Sequence, residues 1–316
     1  MVKHYLALSL LGGLLLAGPA AAHEAIDLDD GSEVKGNLET RNSPIRLGNE
    51  IQVEGNINSR NGGITLGNSV TARDLSSRNG HIRVGDQGEF RSLSTRNGSI
   101  TLGSGTRSED IETRNGSVQV GPNSRVRSLD SRNGSLTLGA DSEVERGLIT
   151  RNGAITVEQN VHIGETIESR NGRIELAQDS RVGESIRTRN GSIRLIGTEV
   201  GRDVESRGGD ISLQSGSHVQ GDVTIEIDAD SGQRSGGFLW WGRSSNYADA
   251  GNIELSGASV VDGEVKILLP ADYDGETPVL RVDGDSEIHG RLLLDHRVEL
   301  EIDDNARVGD IERQQP

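Results

Sequence analysis

With 316 residues, 43 of them glycine, 32% hydrophobic and 2% aromatic side chains and no cysteine, the chain excludes a disulfide framework, a lipidated cysteine and a large aromatic core. Its formal charge of −16 at pH 7 argues against nucleic acid as a partner and favours solubility. Such a composition borders on that of disordered chains, but an internal repeat overrules that reading.

The first residues combine Lys3, an apolar run from Leu6 to Ala17 and Ala20-Ala21-Ala22 before His23. This is the pattern of a secretory signal peptide over 1–22, cleaved after Ala22, and the run is too short for a comfortable membrane span. Removing it takes away Lys3 and no acid, so the mature charge falls from −16 to −17. No later stretch reaches a transmembrane length, and export to the periplasm or cell surface of a Gram-negative-like bacterium is expected.

From residue 23 to 228 the text repeats. Taking arginine as reference, ten copies start at Arg41, Arg60, Arg78, Arg96, Arg114, Arg132, Arg151, Arg170, Arg189 and Arg207, at spacings of 18 or 19 residues. A fixed period of this size marks a solenoid or array. An aliphatic residue stands three places before each arginine (Leu93, Ile111, Leu129) and others four and six places after it (Ile100 and Leu102; Val118 and Val120). That period-two alternation predicts two short half-buried strands per copy. A third apolar point follows ten to twelve residues after the arginine (Val70, Phe90, Val126, Val144, Val182, Val219). Each layer then has three short sides around an aliphatic centre.

Asn-Gly between alternating strands is also a strong hairpin signal, because both residues accept the positive φ of a type I′ turn. A run of serial hairpins is therefore the rival fold. The polar columns favour stacking: the residue before the arginine is Ser or Thr in all ten copies, and Asn follows it in nine, Gly208 being the exception. Layers about 4.8 Å apart would place like residues above one another, so that hydroxyl and amide ladders satisfy themselves. One layer buries too little to offset its own ordering, whereas neighbours covering both faces sustain it. The expected fold is all-β, a single-domain parallel β-helix (β-solenoid) of 18–19 residues per coil.

Residues 229–250 interrupt the repeat with a Gly/Ser-rich segment holding Phe238, Trp240, Trp241 and Tyr247, four of the seven aromatic residues of the chain. Solenoid texture returns over 251–316 without Arg-Asn-Gly, and Pro270 to Pro278 makes a second excursion around Tyr273. The alternation in "RVGESIRTRNGSIRLIG", Arg181 to Gly197, resembles secreted adhesin-type β-solenoid domains of bacterial envelopes. The pieces "SHVQGDV", "ASVVDGEV" and "ARVGDI" are similar to bactofilins, the polymer-forming cytoskeletal solenoids. The resemblance spans roughly residues 33 to 312, implies right-handed coiling, and supplies no catalytic residues.

Two candidate binding surfaces follow. By strand parity the arginines point outward, and Arg78, Arg96, Arg114, Arg132, Arg151, Arg170 and Arg189 form the centre of a stripe. Its plainer reading is an ion-pair lattice with Glu39, Glu112, Asp130, Glu168 and Glu205 two residues earlier; its sharper one is a ladder for a polyanion such as an acidic polysaccharide or lipopolysaccharide. The segment with Phe238, Trp240, Trp241 and Tyr247 suits sugar stacking, a protein hot spot or an interfacial membrane contact, unless it folds back as packing. Asp228 and Asp230; Asp272, Asp274 and Glu276; and Asp283, Asp285 and Glu287 place oxygens at alternate positions, but none matches a twelve-residue calcium loop, so solvated turns are expected and no metal or cofactor.

No catalytic set is expected either. His81, His162, His218, His289 and His296 are scattered without a partnered nucleophile, and the nearly insertion-free coils lack the loops over a groove that pectate-lyase-like solenoids need. The mixed, charged column five residues after the arginine does not suit an ice-binding face. The reading is a non-enzymatic exported structural or adhesin-like protein of the bacterial cell envelope, with an envelope polysaccharide or surface protein as partner and end-to-end self-association. The alternative is a carbohydrate- or polyanion-binding envelope protein using the aromatic segment and the arginine stripe.

Overall fold

The computed structural model describes Leu14–Leu15, residues 24–227 and residues 250–314. Among these residues the chain is all-β, a parallel β-solenoid with one turn per repeat copy. It divides into two compact units, Met1–Thr150 and Arg151–Pro316. Among the described residues no helix is long and apolar enough to cross a membrane.

Each turn of the first unit contributes a three-residue strand to one sheet: Ile26–Leu28, Ile45–Leu47, Ile64–Leu66, Ile82–Val84, Ile100–Leu102, Val118–Val120 and Leu136–Leu138. Neighbours pair in parallel at the repeat period, Ile82 with Ile100 and Ile100 with Val118. This register excludes serial hairpins, whose strands would run antiparallel. The remaining segments of each turn fall into a second sheet, and the two run on as a single seven-residue strand in Thr71–Ser77, Glu89–Thr95, Arg107–Thr113 and Arg125–Ser131. The second unit repeats the plan from Ile155–Val157 to Glu299–Ile302.

The core is a set of aliphatic columns. Leu75, Leu93 and Ile111 stack three places before the arginine, Ile82, Ile100 and Val118 four places after it, and all are at most 1% exposed. Such columns bury about 1.5–3 kcal/mol per side chain, and each turn is covered only because another lies above and below it.

Asn-Gly owes its place to stacking rather than to a turn with positive φ. None of the asparagines after the arginines has positive φ, and among the glycines two places after them only Gly209, in Arg207-Gly208-Gly209, does. A Cβ on Gly80, Gly98, Gly116 or Gly134 would lie under 3.0 Å from the carbonyl of the equivalent glycine one turn earlier. Glycine is needed because backbones cross there at closest approach.

Beside it the amides form a ladder, Asn61 Nδ2 donating to Asn42 Oδ1 at 2.7 Å, Asn79 to Asn61 at 2.7 Å, Asn97 to Asn79 at 2.7 Å and Asn115 to Asn97 at 2.8 Å. The buried hydroxyl column does not form the hydroxyl-to-hydroxyl ladder expected of it beyond Thr40 and Ser59, 3.1 Å apart. Thr95 Oγ1 accepts from Gly98 N–H in its own turn at 3.0 Å and donates to the Gly80 carbonyl one turn earlier at 3.3 Å, and Ser77 does the same with Gly80 and Gly62. Stacked backbone leaves that carbonyl facing inward, and the hydroxyl is the donor that reaches it.

Left-handed backbone occurs at a different corner, nine residues after the arginine. Glu50, Ser69, Gln87, Asn123, Asp141, Asn160 and Asp179 all have φ between 55° and 62°, and Gly105 takes the same place at 66°. The next residue inward is a second buried hydroxyl column, Thr106, Ser124, Ser142, Ser180, Thr198 and Ser217. The serines accept backbone N–H from the preceding turn, Thr106 N–H to Ser124 Oγ at 3.2 Å, Ser124 N–H to Ser142 Oγ at 3.1 Å, Val161 N–H to Ser180 Oγ at 3.3 Å and Thr198 N–H to Ser217 Oγ at 3.2 Å.

Candidate binding surface

The arginines stand at the bend directly after a strand that ends on the Ser or Thr before them. Backbone bonds fix the bend turn by turn: Arg96 N–H donates to the Ser77 carbonyl at 3.2 Å and Asn97 N–H to the Arg78 carbonyl at 3.0 Å. Arg41, Arg60, Arg78, Arg96, Arg114 and Arg132 are therefore held one above another in the first unit, all exposed. In the second unit Arg151, Arg170 and Arg189 follow the same rule, Asn171 and Asn190 N–H donating to the Arg151 and Arg170 carbonyls at 2.9 Å.

The ion-pair lattice expected of this column is not formed. Among the described residues none of these nine guanidinium groups has a hydrogen bond or ion pair. Two of the acids assigned to them are engaged elsewhere: Glu39 accepts from Asn58 at 3.5 Å and Glu205 pairs with Arg187 at 3.2 Å. Strand parity fails at the bend, because the chain turns at the arginine and its side chain leaves the corner while the acid two places earlier leaves the flat of the sheet.

Ion pairs are instead made between other columns. Arg91 pairs with Asp74, Arg107 with Glu89 at 3.0 Å, Arg125 with Glu143 (Nε to Oε2 2.8 Å) and Arg127 with Asp110 and, at 3.2 Å, Glu109. Hydrogen bonds from Arg91 and from Arg127 hold the Asp74 and Asp110 carboxyls below their ordinary range. An open groove of about 610 Å³ runs beside these pairs, lined by Gln87, Glu89, Arg107, Arg125 and Glu143, and its charges are already matched.

Phe238, Trp240, Trp241 and Tyr247 lie outside the described residues, as do Asp228 and Asp230. The points where that segment leaves and rejoins the solenoid are described: Ile227 and Ala250 are buried, and Ile211 pairs with Ile253 in parallel across the gap. Gly251 lies against Gly209, so the segment departs from the same corner that carries Arg-Asn-Gly in earlier turns. The excursion from Pro270 to Pro278 uses this corner again, between Val265–Leu268 and Val279–Val282. Its Tyr273 is 8% exposed, accepts from Ala250 N–H at 3.0 Å and donates to the Glu276 carbonyl at 2.9 Å. Arg297 closes the clasp, 5.6 Å over the Tyr273 ring, donating to the Pro270 and Tyr273 carbonyls and to Asp295.

Among the described residues no three His, Asp or Glu side chains converge to hold a metal. Asp283 serves a turn, accepting from Gly257 N–H at 2.6 Å and from Ser286 Oγ at 2.6 Å. A histidine pair flanks Asp262, whose two oxygens lie 2.8 Å from His218 Nε2 and 3.0 Å from His289 Nδ1, and His289 Nε2 lies 3.2 Å from Glu287. His81 packs over Gly63.

The chain matches no family model, no curated protein and no solved structure.

Proposed function

We propose that the chain is a non-enzymatic structural or adhesin-like element of the bacterial cell envelope, exported through residues 1–22 to the periplasm or cell surface. The observation that carries this reading is the self-satisfaction of the turns. Amides bond amides, hydroxyls bond the neighbouring backbone and grooves hold matched ion pairs, leaving a scaffold rather than a set of poised reactive groups. The resemblance to secreted adhesin-type solenoids, with bactofilin-like pieces near the C-terminus, supports the same reading.

The test is expression with the native leader in a Gram-negative host. Mass spectrometry of the exported chain should give His23 as its first residue, with the protein released by osmotic shock or shaved from intact cells by protease, and purified chain should leave a panel of envelope glycans unchanged. Retention in the cytoplasm with 1–22 intact, or turnover of any of those glycans, overturns it.

A further inference from the structure

We propose that the arginine column of the first unit, Arg60, Arg78, Arg96, Arg114 and Arg132, is a binding ridge for a linear acidic polysaccharide that carries one carboxylate per sugar. The inference stands on the surface itself and does not depend on where the protein resides.

The first ground is contrast within one unit. Arg46, Arg91, Arg107, Arg125 and Arg127 each hold an acid; the five ridge arginines hold none, and unlike Arg73 and Arg146, which also lack a bonded acid, they stand one above another in a single column. Like charges one turn apart, about 4.8 Å, repel one another. A ligand carboxylate set between them relieves that repulsion.

The second ground is segregation of charge. Three residues after the ridge the outward column reads Gly63, His81, Ser99, Ser117 and Ser135, and five after it Thr65, Arg83, Thr101, Gln119 and Thr137, without one acid. Two before it, Asn58, Ser76 and Ser94 are neutral, and Glu112 and Asp130 appear only at the far turns. The two columns after the ridge are thus free of acid along all five turns, on a chain of net charge −16, and acids flank the other side only at Arg114 and Arg132. In the second unit Glu175 and Asp210 stand in the two columns after the arginines that are acid-free in the first, so the ridge belongs to the first.

The third ground is the ladder alongside. Each of Asn61, Asn79, Asn97 and Asn115 uses one amide N–H toward the preceding asparagine. An amide has two, and the second is available at the exposed surface to a sugar hydroxyl. Guanidinium groups recognise carboxylates in a planar, two-pronged manner, and a sugar ring in an extended chain advances by about one turn of the solenoid. Nucleic acid is a poorer fit, since duplex charges recur every ~1.7 Å and those of one strand every ~3.4 Å.

The experiment measures binding of polygalacturonate to the full chain by titration calorimetry at low and high salt, with dextran as the uncharged comparison and an oligothymidylate as the other polyanion. Wild type should bind polygalacturonate at low salt, release it at high salt and ignore dextran. Arg78→Gln/Arg96→Gln/Arg114→Gln should weaken binding at least about tenfold. Arg91→Gln/Arg107→Gln/Arg125→Gln, equal in charge but away from the ridge, should change it by less than about threefold. If the ridge triple variant loses its β-sheet circular dichroism, Arg96→Gln alone should still show a drop of about two- to threefold. The proposal fails if wild type does not bind at low salt, if the ridge variants bind like wild type, if both triples lose equally, or if the oligothymidylate binds more tightly than the uronan.

Discussion

Gly98→Ala separates a backbone contact from a turn requirement. Gly98 does not have positive φ, so conformation alone would favour alanine by about 0.4–1 kcal/mol through the unfolded chain. Sterically the new Cβ would sit 2.6 Å from the Gly80 carbonyl carbon and 3.0 Å from His81 N, and closer still to the Gly80 oxygen. The two turns must part there, stretching the Asn97–Asn79 amide bond of 2.7 Å and the Thr95 bond to the Gly80 carbonyl of 3.3 Å. Two bonds at about 1 kcal/mol each and about 1–3 kcal/mol of overpacking, less the conformational gain, leave a net loss of roughly 2–4 kcal/mol. Urea unfolding followed by circular dichroism should show this loss, with faster amide hydrogen exchange in the flanking turns and no comparable change for Ser99→Ala, an exposed neighbour. A Gly98→Ala variant within about 0.5 kcal/mol of wild type, or more stable, would refute the close backbone crossing.

Ser108 Oγ is buried without a hydrogen-bond partner, between Phe90 and Val126 in an otherwise mostly apolar column. Ser108→Ala should therefore raise stability by about 1 kcal/mol, and a lower urea midpoint would contradict the orphaned hydroxyl. Gln87 holds φ of 58° where the next turn has Gly105, so Gln87→Gly should be neutral or stabilising by up to about 1 kcal/mol, whereas a clear loss in a thermal melt would show that the side chain contributes more than the backbone conformation costs. The hydrogen bond to Glu287, with Asp262 adding and burial partly opposing, holds the His289 imidazole above its ordinary value near 6.5. Its contribution to stability is then complete below about pH 6.5 and disappears as pH rises through the higher folded value. Because the side chain is 53% exposed, that contribution is small, a few tenths of a kcal/mol. An NMR titration of His289 with its midpoint at or below the ordinary value would reject the assignment.

The strand columns were legible because alternation of period two needs no tertiary information, and Leu93, Ile100 and Leu102 occupy the interior as that alternation requires. Asn-Gly was ambiguous, since a I′ turn and a crowded stack select the same dipeptide for different reasons. The second hydroxyl column was missed because its first members, Ile51, Val70 and Gly88, do not resemble Thr106 or Ser124. The left-handed corner was hidden for a related reason, with Gly105 the one glycine among Glu50, Ser69, Gln87 and Asn123. Pairing of the arginines with the acids two places earlier failed because parity describes a strand and not the bend that ends it. Isolation of those guanidinium groups could be read only once Asp74, Glu89 and Glu143 were seen to be occupied.

Ile211 and Ile253 remain partners in adjacent turns although the chain between them runs well beyond one repeat, and Leu280 continues that row after a second detour. The corner thus behaves as a splice point. Foreign sequence of widely varying length can be let in there while the strands on either side keep their neighbours. A peptide grafted between Leu268 and Val279 should be tolerated where the same graft inside Ile100–Leu102 would not, making the corner the natural place to load such a scaffold with new specificity.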